Sequence, residues 1–202
     1  DVVVFKAPPS NNEDYIKRVI GLPGDVIQMR GGILEINGVA VKKERMADFV
    51  IPVTPNMRDA SALEGSPFPC WRPDFEQAAP TGGNQCRYPR YKETLPNGRS
   101  YEILDLDSDL PGDDTEAFVV GEGDIFLMGD NRDHSADSRA MLEENGLGGP
   151  VPLSDVGGRA EFITFSLDGS QGWNPLTWWS ALRSGRAWST LRPRLEKRRE
   201  RD

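Results

Sequence analysis

Lys17 stands inside an apolar, β-branched stretch, Tyr15-Ile16-Lys17-Arg18-Val19-Ile20. A strand over these residues puts Tyr15, Lys17 and Val19 on one face and Ile16, Arg18 and Ile20 on the other. A lysine so placed has two readings. At a sheet edge its charge blocks pairing with a foreign strand. Desolvated among apolar neighbours, its ammonium form is disfavoured, its pKa falls, and the neutral amine can take up a proton. Such an amine can activate a serine hydroxyl, as Ser-Lys variants of the Ser-His-Asp arrangement do.

The second concentration of polar chemistry is Gly129-Asp130-Asn131-Arg132-Asp133-His134-Ser135-Ala136-Asp137-Ser138-Arg139, directly after the apolar run Asp124 to Met128. Short polar side chains at this density can bond to their own backbone through Asx and Ser turns. The segment is therefore either a self-bonded surface loop or a preorganised wall of an active site with its charges paired internally. His134 is the one histidine of the chain, so a Ser-His-Asp triad would have to use it; it reads as a partly exposed loop residue. Two cysteines and one histidine, far apart in sequence, do not make a zinc site, and no metal or other cofactor is expected. Gly-x-Ser-x-Gly, Ser-x-x-Lys and phosphate-cradling glycine motifs are absent from the sequence. Cys70 and Cys86 enclose 15 residues. In an oxidising compartment they can form a bridge that contributes roughly 3 kcal/mol in the chain-entropy description; in a reducing one they are ordinary thiols.

The elements that must position these residues read as short strands. Val2-Val3-Val4-Phe5 ends at Ala7-Pro8-Pro9, and Tyr15 to Ile20 ends at Gly21-Leu22-Pro23-Gly24-Asp25, where the density of Gly and Pro demands a turn. Val26 to Met29 and Ile33 to Ile36 follow. Asn37-Gly38 precedes Val39-Ala40-Val41 and predicts a two-residue hairpin, because both residues tolerate positive φ. A second Asn-Gly, at Asn97-Gly98, precedes Tyr101 to Leu104. Further strands are expected at Phe118 to Val120, Asp124 to Met128 and Arg159 to Ser166. Residues 44–98 are rich in Pro, Arg and small side chains and show little periodicity, and 105–116 form an acidic loop. The sum is an all-β body whose core is made by both ends, with a less regular insertion between them.

The chain has 202 residues with 24 Lys+Arg against 32 Asp+Glu, a formal net charge of -8. Residues 173–202 carry eight basic and three acidic side chains, a local +5, which leaves -13 on the other 172. An acidic body argues against a general nucleic-acid binder. No run approaches the ~18 apolar residues of a membrane span, and no signal-peptide pattern is present. The sequence starts at Asp1 and is expected to open partway into a longer polypeptide. The basic tail holds four of the five tryptophans, Trp173, Trp178, Trp179 and Trp188. At ~100° per residue, Trp178, Trp179 and Leu182 share one side and Trp188, Leu191 and Leu195 another, which predicts two short amphipathic segments.

Two blocks together, Asp14-Tyr15-Ile16-Lys17-Arg18-Val19-Ile20-Gly21-Leu22-Pro23-Gly24-Asp25 and Gly129 to Arg139, resemble bacterial type I signal peptidase (leader peptidase), and Asp1-Val2-Val3-Val4-Phe5 resembles the strand motif that precedes them in that family. The likeness covers about residues 1–166. It implies a mostly antiparallel β fold with a catalytic core of residues 1–26 and 118–172 and an inserted smaller β-rich domain with long loops at 27–117; residues 173–202 read as a short helical Trp/Arg-rich tail beyond the likeness. It implies a membrane-bound serine endopeptidase that removes signal peptides from exported preproteins at the outer, periplasmic face of the bacterial cytoplasmic membrane, using a Ser-Lys dyad. By motif match Lys17 is the general base and Ser135 is similar to the serine whose hydroxyl orients it. Asp137 and Arg139 resemble the supporting pair, Arg18 and Asp130 a second bridge between the blocks, and Tyr15 and Ile16 residues lining the clefts for small substrate side chains. The expected partners are signal peptides and a lipid surface, not nucleic acid; Trp and Arg on the tail suit a membrane interface. The family's nucleophile sits in a Ser-Met-x-Pro motif before the first block, which this sequence lacks; Ser10 lies on the wrong side of the strand motif. The chain alone is therefore expected to be inactive. Two other readings remain: a related Ser-Lys maturation protease, and a non-catalytic homologue that binds preproteins or lipid.

Overall fold

The computed structural model describes residues 1–7, 13–63, 65–167, 179, 182–183 and 185–195. Among the described residues sixteen strands follow one another: β1 (Val2–Lys6), β2 (Asp14–Gly21), β3 (Val26–Arg30), β4 (Ile33–Ile36), β5 (Val39–Ala40), β6 (Lys42–Arg45), β7 (Phe49–Pro52), β8 (Glu76–Ala78), β9 (Asn84–Tyr88), β10 (Arg90–Thr94), β11 (Arg99–Leu104), β12 (Phe118–Val119), β13 (Asp124–Met128), β14 (Val151–Pro152), β15 (Val156–Ala160) and β16 (Arg194–Leu195). An α-helix, α1 (Pro55–Leu63), lies between β7 and β8. The chain is all-β and its described strand pairs are antiparallel. Among the described residues no helix is long and apolar enough to cross a membrane.

Two compact units are present: one of Asp1–Met46, Pro89–Glu161 and Leu191–Asp202, the other of Ala47–Tyr88 and Phe162–Thr190. The changeovers fall at 46/47 and 88/89, close to the 44–98 stretch that differs in texture, while the resemblance implies an insertion bounded at 26/27 and 117/118. The physical reason is a shared core: Ile27, Leu34 and Ile103 are buried together with Ile20, Phe126 and Met128.

In the first unit the central sheet runs β14-β13-β2-β1-β15. The apolar sequence of β13 is explained by burial on both faces. Phe126 and Met128 enter the cluster just named, while Ile125 and Leu127 pack with Val3, Phe5 and Val151 on the other side. Two further sheets, β12-β3-β4-β5 and β16-β11-β10-β6, complete this unit. Asn37 and Gly38 have φ of 54° and 74°, and Ile36 pairs with Val39 across them, the hairpin that the Asn-Gly sequence predicts. The final strand is displaced from its expected place: β15 stops at Ala160 because its ladder with β1 runs out at the Val2–Ala160 pair. Beyond it, Phe162 and Leu167 form only isolated bridges, with Thr190 and Leu182.

The second unit holds the sheet β7-β9-β8 and α1. The helix was not expected, yet it begins on a recognisable start signal: the Thr54 hydroxyl accepts the Met57 N–H at 3.3 Å and Pro55 occupies the first turn. Cys70 and Cys86 form a disulfide, Cα to Cα 5.6 Å, and both are buried. Beside it the Phe75 ring lies between Trp71 and Tyr88, at centroid distances of 5.9 and 5.4 Å. Of the tail, Trp179, Leu182, Arg183 and residues 185–195 are described; where amphipathic segments are expected they include a bridge at Leu182 and the strand β16, paired with Arg99 and Ser100. Ser10, Trp173 and Trp178 lie outside the described residues.

Candidate active site

Lys17 sits mid-strand in β2, opposite Val3 of β1. It is half-buried, and its ammonium nitrogen lies 5.5 Å from the centre of the Tyr15 ring. Alternation in β2 works as the sequence indicates: Arg18 is buried on the opposite face, against the Tyr101 ring at 4.6 Å. Burial pushes the Lys17 pKa below its ordinary value. The Asp137 carboxylate pulls it back up and the Arg139 guanidinium pushes it further down. Lys17 is thus a partly desolvated amine facing one charged pair, the condition a general base requires.

The loop at residues 129–139 lies beside that amine because of strand register. The β13–β2 ladder ends at the Met128–Arg18 pair, so the chain leaves the sheet next to Lys17. It then returns: Ser138 N–H donates to the Leu127 carbonyl at 3.0 Å, and the Leu127 N–H donates to the Ser138 hydroxyl at 3.1 Å. Within this closed turn the fully buried Asp137 accepts from the Gly129 N–H at 2.9 Å and the Arg139 N–H at 3.1 Å. It also accepts a bidentate pair from the Arg139 guanidinium at 3.0 and 2.9 Å. Burial alone would raise the Asp137 pKa; the Arg139 pairing and the two backbone donors more than offset it and hold the carboxyl below its usual range. The polar loop is therefore both things that its sequence allows: self-bonded, and a rigid wall with paired charges.

Ser135 packs against Gly129. A Cβ at position 129 would stand 2.1 Å from the Ser135 Oγ, so only glycine fits there. The Ser135 Oγ is buried and has no hydrogen-bond partner among the described residues; a Lys17–Ser135 hydrogen bond is not formed. Arg18 and Asp130 make the expected second bridge, bidentate at 2.7 Å on both nitrogens. Tyr15 shares the Lys17 face and meets Phe5 edge-on at 6.2 Å; Ile16 projects from the other face and is 55% exposed. His134 is exposed. The sequence reading gave no role to Arg132, Glu93 or Tyr101, yet the structure buries all three in one bonded group: Arg132 donates to Glu93 at 2.8 and 2.5 Å, and the Tyr101 hydroxyl donates to Glu93 at 2.7 Å.

Two further features do not include Lys17. A cavity of about 540 Å³ in the same unit is lined by Val3, Val19, Ile125 and Arg159, but not by Lys17 or Ser135. Among the described residues the one group with metal-ligand spacing is Asp105, Asp113 and Asp133. Lys43 donates to Asp105, and backbone N–H groups of Leu106, Asp107 and Leu110 donate to the other two carboxylates.

Residues 1–165 match the family model described as signal peptidase, peptidase S26. The chain belongs to that family. Among curated signal peptidase relatives, signal peptidase I of Rickettsia prowazekii (strain Madrid E) is 32% identical over 185 residues, 89% of this chain and 53% of that protein. Signal peptidase I of Rickettsia canadensis (strain McKiel) is 34% identical over the same shares. The chain spans about half the length of the curated relatives it matches. A solved signal peptidase I from Enterococcus faecalis V583 is similar at 21% identity and a TM-score of 0.37, over 79% of this chain and 92% of that one. The match to the signal peptidase family contains both polar blocks described above and stops just short of the tail.

Proposed function

We propose that this chain is the lysine-bearing part of a membrane-bound serine endopeptidase that cleaves signal peptides from exported preproteins on the extracytoplasmic side of a bacterial membrane. The observation that carries the reading is the half-buried Lys17 amine, held mid-strand with a lowered pKa and faced by the Asp137–Arg139 pair. A strand holds such a base more firmly than a loop would. In the proposed reaction Lys17 takes the proton of a serine hydroxyl as that oxygen attacks the scissile carbonyl. The new C–O bond forms, the carbonyl electrons move onto oxygen, and collapse expels the amine, which takes the proton back from Lys17. Water then hydrolyses the ester by the same proton transfer. Ser135 is assigned the role of orienting the amine without adding charge, through a hydrogen bond made in the reacting complex. Tyr15 and Ile16 border the substrate strand. None of the 202 residues lies in a Ser-Met-x-Pro sequence, so the nucleophile is proposed to come from outside them, and the isolated chain is expected not to cleave.

The test is made in the full protein that carries this chain. Lys17→Ala should abolish cleavage of a signal-peptide substrate with an unchanged circular dichroism spectrum. Lys17→Arg should fail equally, because a guanidinium is not a base at neutral pH. Near-normal turnover in either variant would remove Lys17 from the mechanism.

A further inference from the structure

We infer that Glu93 and Tyr101, of the β10–β11 hairpin, are positioning residues that hold β2 and the loop at residues 129–139 at a fixed separation around Lys17. The inference rests on the Lys17 reading above and adds two residues from outside both polar blocks. Glu93 and Tyr101 face each other directly across the hairpin. Each grips one of the two elements that make the site. Glu93, 0% exposed, holds Arg132 of the loop through two hydrogen bonds. Tyr101 lays its ring against Arg18 of β2 and donates its hydroxyl to the same Glu93 carboxylate. The grip is passed on: the Arg132 carbonyl accepts from Arg139 at 2.6 Å, and Arg139 holds Asp137. Asp137 and Arg139 are the charged groups that bear on Lys17; β1 presents Val3 opposite it and its own strand presents Tyr15.

A buried ion pair is a poor device for stability alone, since well-packed apolar side chains of similar volume often do as well or better. This one also leaves the Arg132 Nε and the Arg18 Nη1 buried without hydrogen bonds among the described residues, so stability is not what the arrangement maximises. What it does provide is direction: a planar guanidinium held at both ends fixes orientation as well as distance. Loosened, the loop would admit water to Lys17, and the amine would revert toward its ordinary basicity.

The test uses the 202-residue chain labelled at lysine Cε, whose six lysines give resolvable NMR titrations, with Lys17 assigned by its absence from Lys17→Met. Wild-type Lys17 should titrate below the other five. Glu93→Gln should shift it upward, and Tyr101→Phe, which keeps the ring over Arg18 and removes only the hydroxyl, should shift it in the same direction by less. In the full-length peptidase the same variants should lower kcat by about 10- to 100-fold with KM within about twofold, and move the acid limb of the kcat/KM profile upward. Variants that melt earlier but leave the Lys17 titration and kcat at wild-type values would reduce Glu93 and Tyr101 to structural residues and overturn the inference. If Glu93→Gln does not fold, Tyr101→Phe decides by itself. A wild-type Lys17 that titrates with the other lysines would instead defeat the general-base reading.

Discussion

The two compact units solve the same problem, holding a small β structure together, by opposite means. The unit of Ala47–Tyr88 and Phe162–Thr190 uses a covalent staple, Cys70–Cys86, beside a cluster of Trp71, Phe75 and Tyr88. The unit around Lys17 has ordinary apolar clusters but also buries Arg18, Glu93, Arg132 and Asp137, every one of them in a bidentate charge pair. A staple or a greasy cluster constrains the fold and tolerates small adjustments. Charge pairs in a low-dielectric interior are intolerant of misalignment, because each buried charge is costly without its partner. On the proposed reading of Lys17 that intolerance is useful, because a proton-accepting amine must be kept at one distance from one wall.

Five variants probe the contrast. The largest effect is expected from Glu93→Ala, which strands the Arg132 charge in the core. Chemical denaturation should show a loss of about 3–5 kcal/mol, whereas the paired Glu93→Leu/Arg132→Met should be near neutral. A small loss in the single variant would mean that water reaches Arg132 readily. Next, replacing both Cys70 and Cys86 with Ala should cost roughly 3 kcal/mol while leaving the Lys17 titration unmoved; a shifted lysine would show that the staple serves the site too. Asp137→Asn should cost about 2 kcal/mol at neutral pH. Its sign with pH follows from the carboxyl's lowered pKa: the wild-type contribution is present above the unfolded-state value and disappears as pH falls through the folded-state value. The two proteins should therefore converge in stability under strong acid, and parallel curves down to pH 2 would contradict the assignment. The smallest effect is on Lys17→Met. Because the folded state depresses this lysine, the unfolded chain binds more protons between the two values, and the lysine weakens the fold below that window. The Met variant should melt at or above the wild-type temperature at pH 7, with the difference shrinking as pH rises through that window and gone above the ordinary lysine pKa.

How much of this was legible beforehand can be read residue by residue. Strand alternation placed Lys17 and Arg18 on opposite faces of β2, and the Asn37-Gly38 hairpin needed nothing beyond local φ preferences. The block from Gly129 to Arg139 announced internal pairing by composition, and Asp137–Arg139 is a contact between residues two apart. The helix α1 was missed although Thr54-Pro55 is a start signal, because residues 44–98 lack a clean apolar period. The acidic partner of Arg132 lies 39 residues away in a region that reads as an irregular insertion, and the partner of Arg18 lies 112 residues away. No local rule selects Glu93 from the chain's other acids.

The sequence by itself determined the strands β1 to β5 and β11 to β13, the Asn37-Gly38 turn and the membership of two polar blocks in one family, since these follow from side-chain period, backbone preference and short-range pairing. The tertiary structure decided which charges are buried and with whom. It set Lys17 half out of water, gave Asp137 its four donors, closed Gly129 against Ser135 and put Glu93 and Tyr101 between β2 and the loop. Burial and dielectric are properties of the packed interior, and no residue carries them alone.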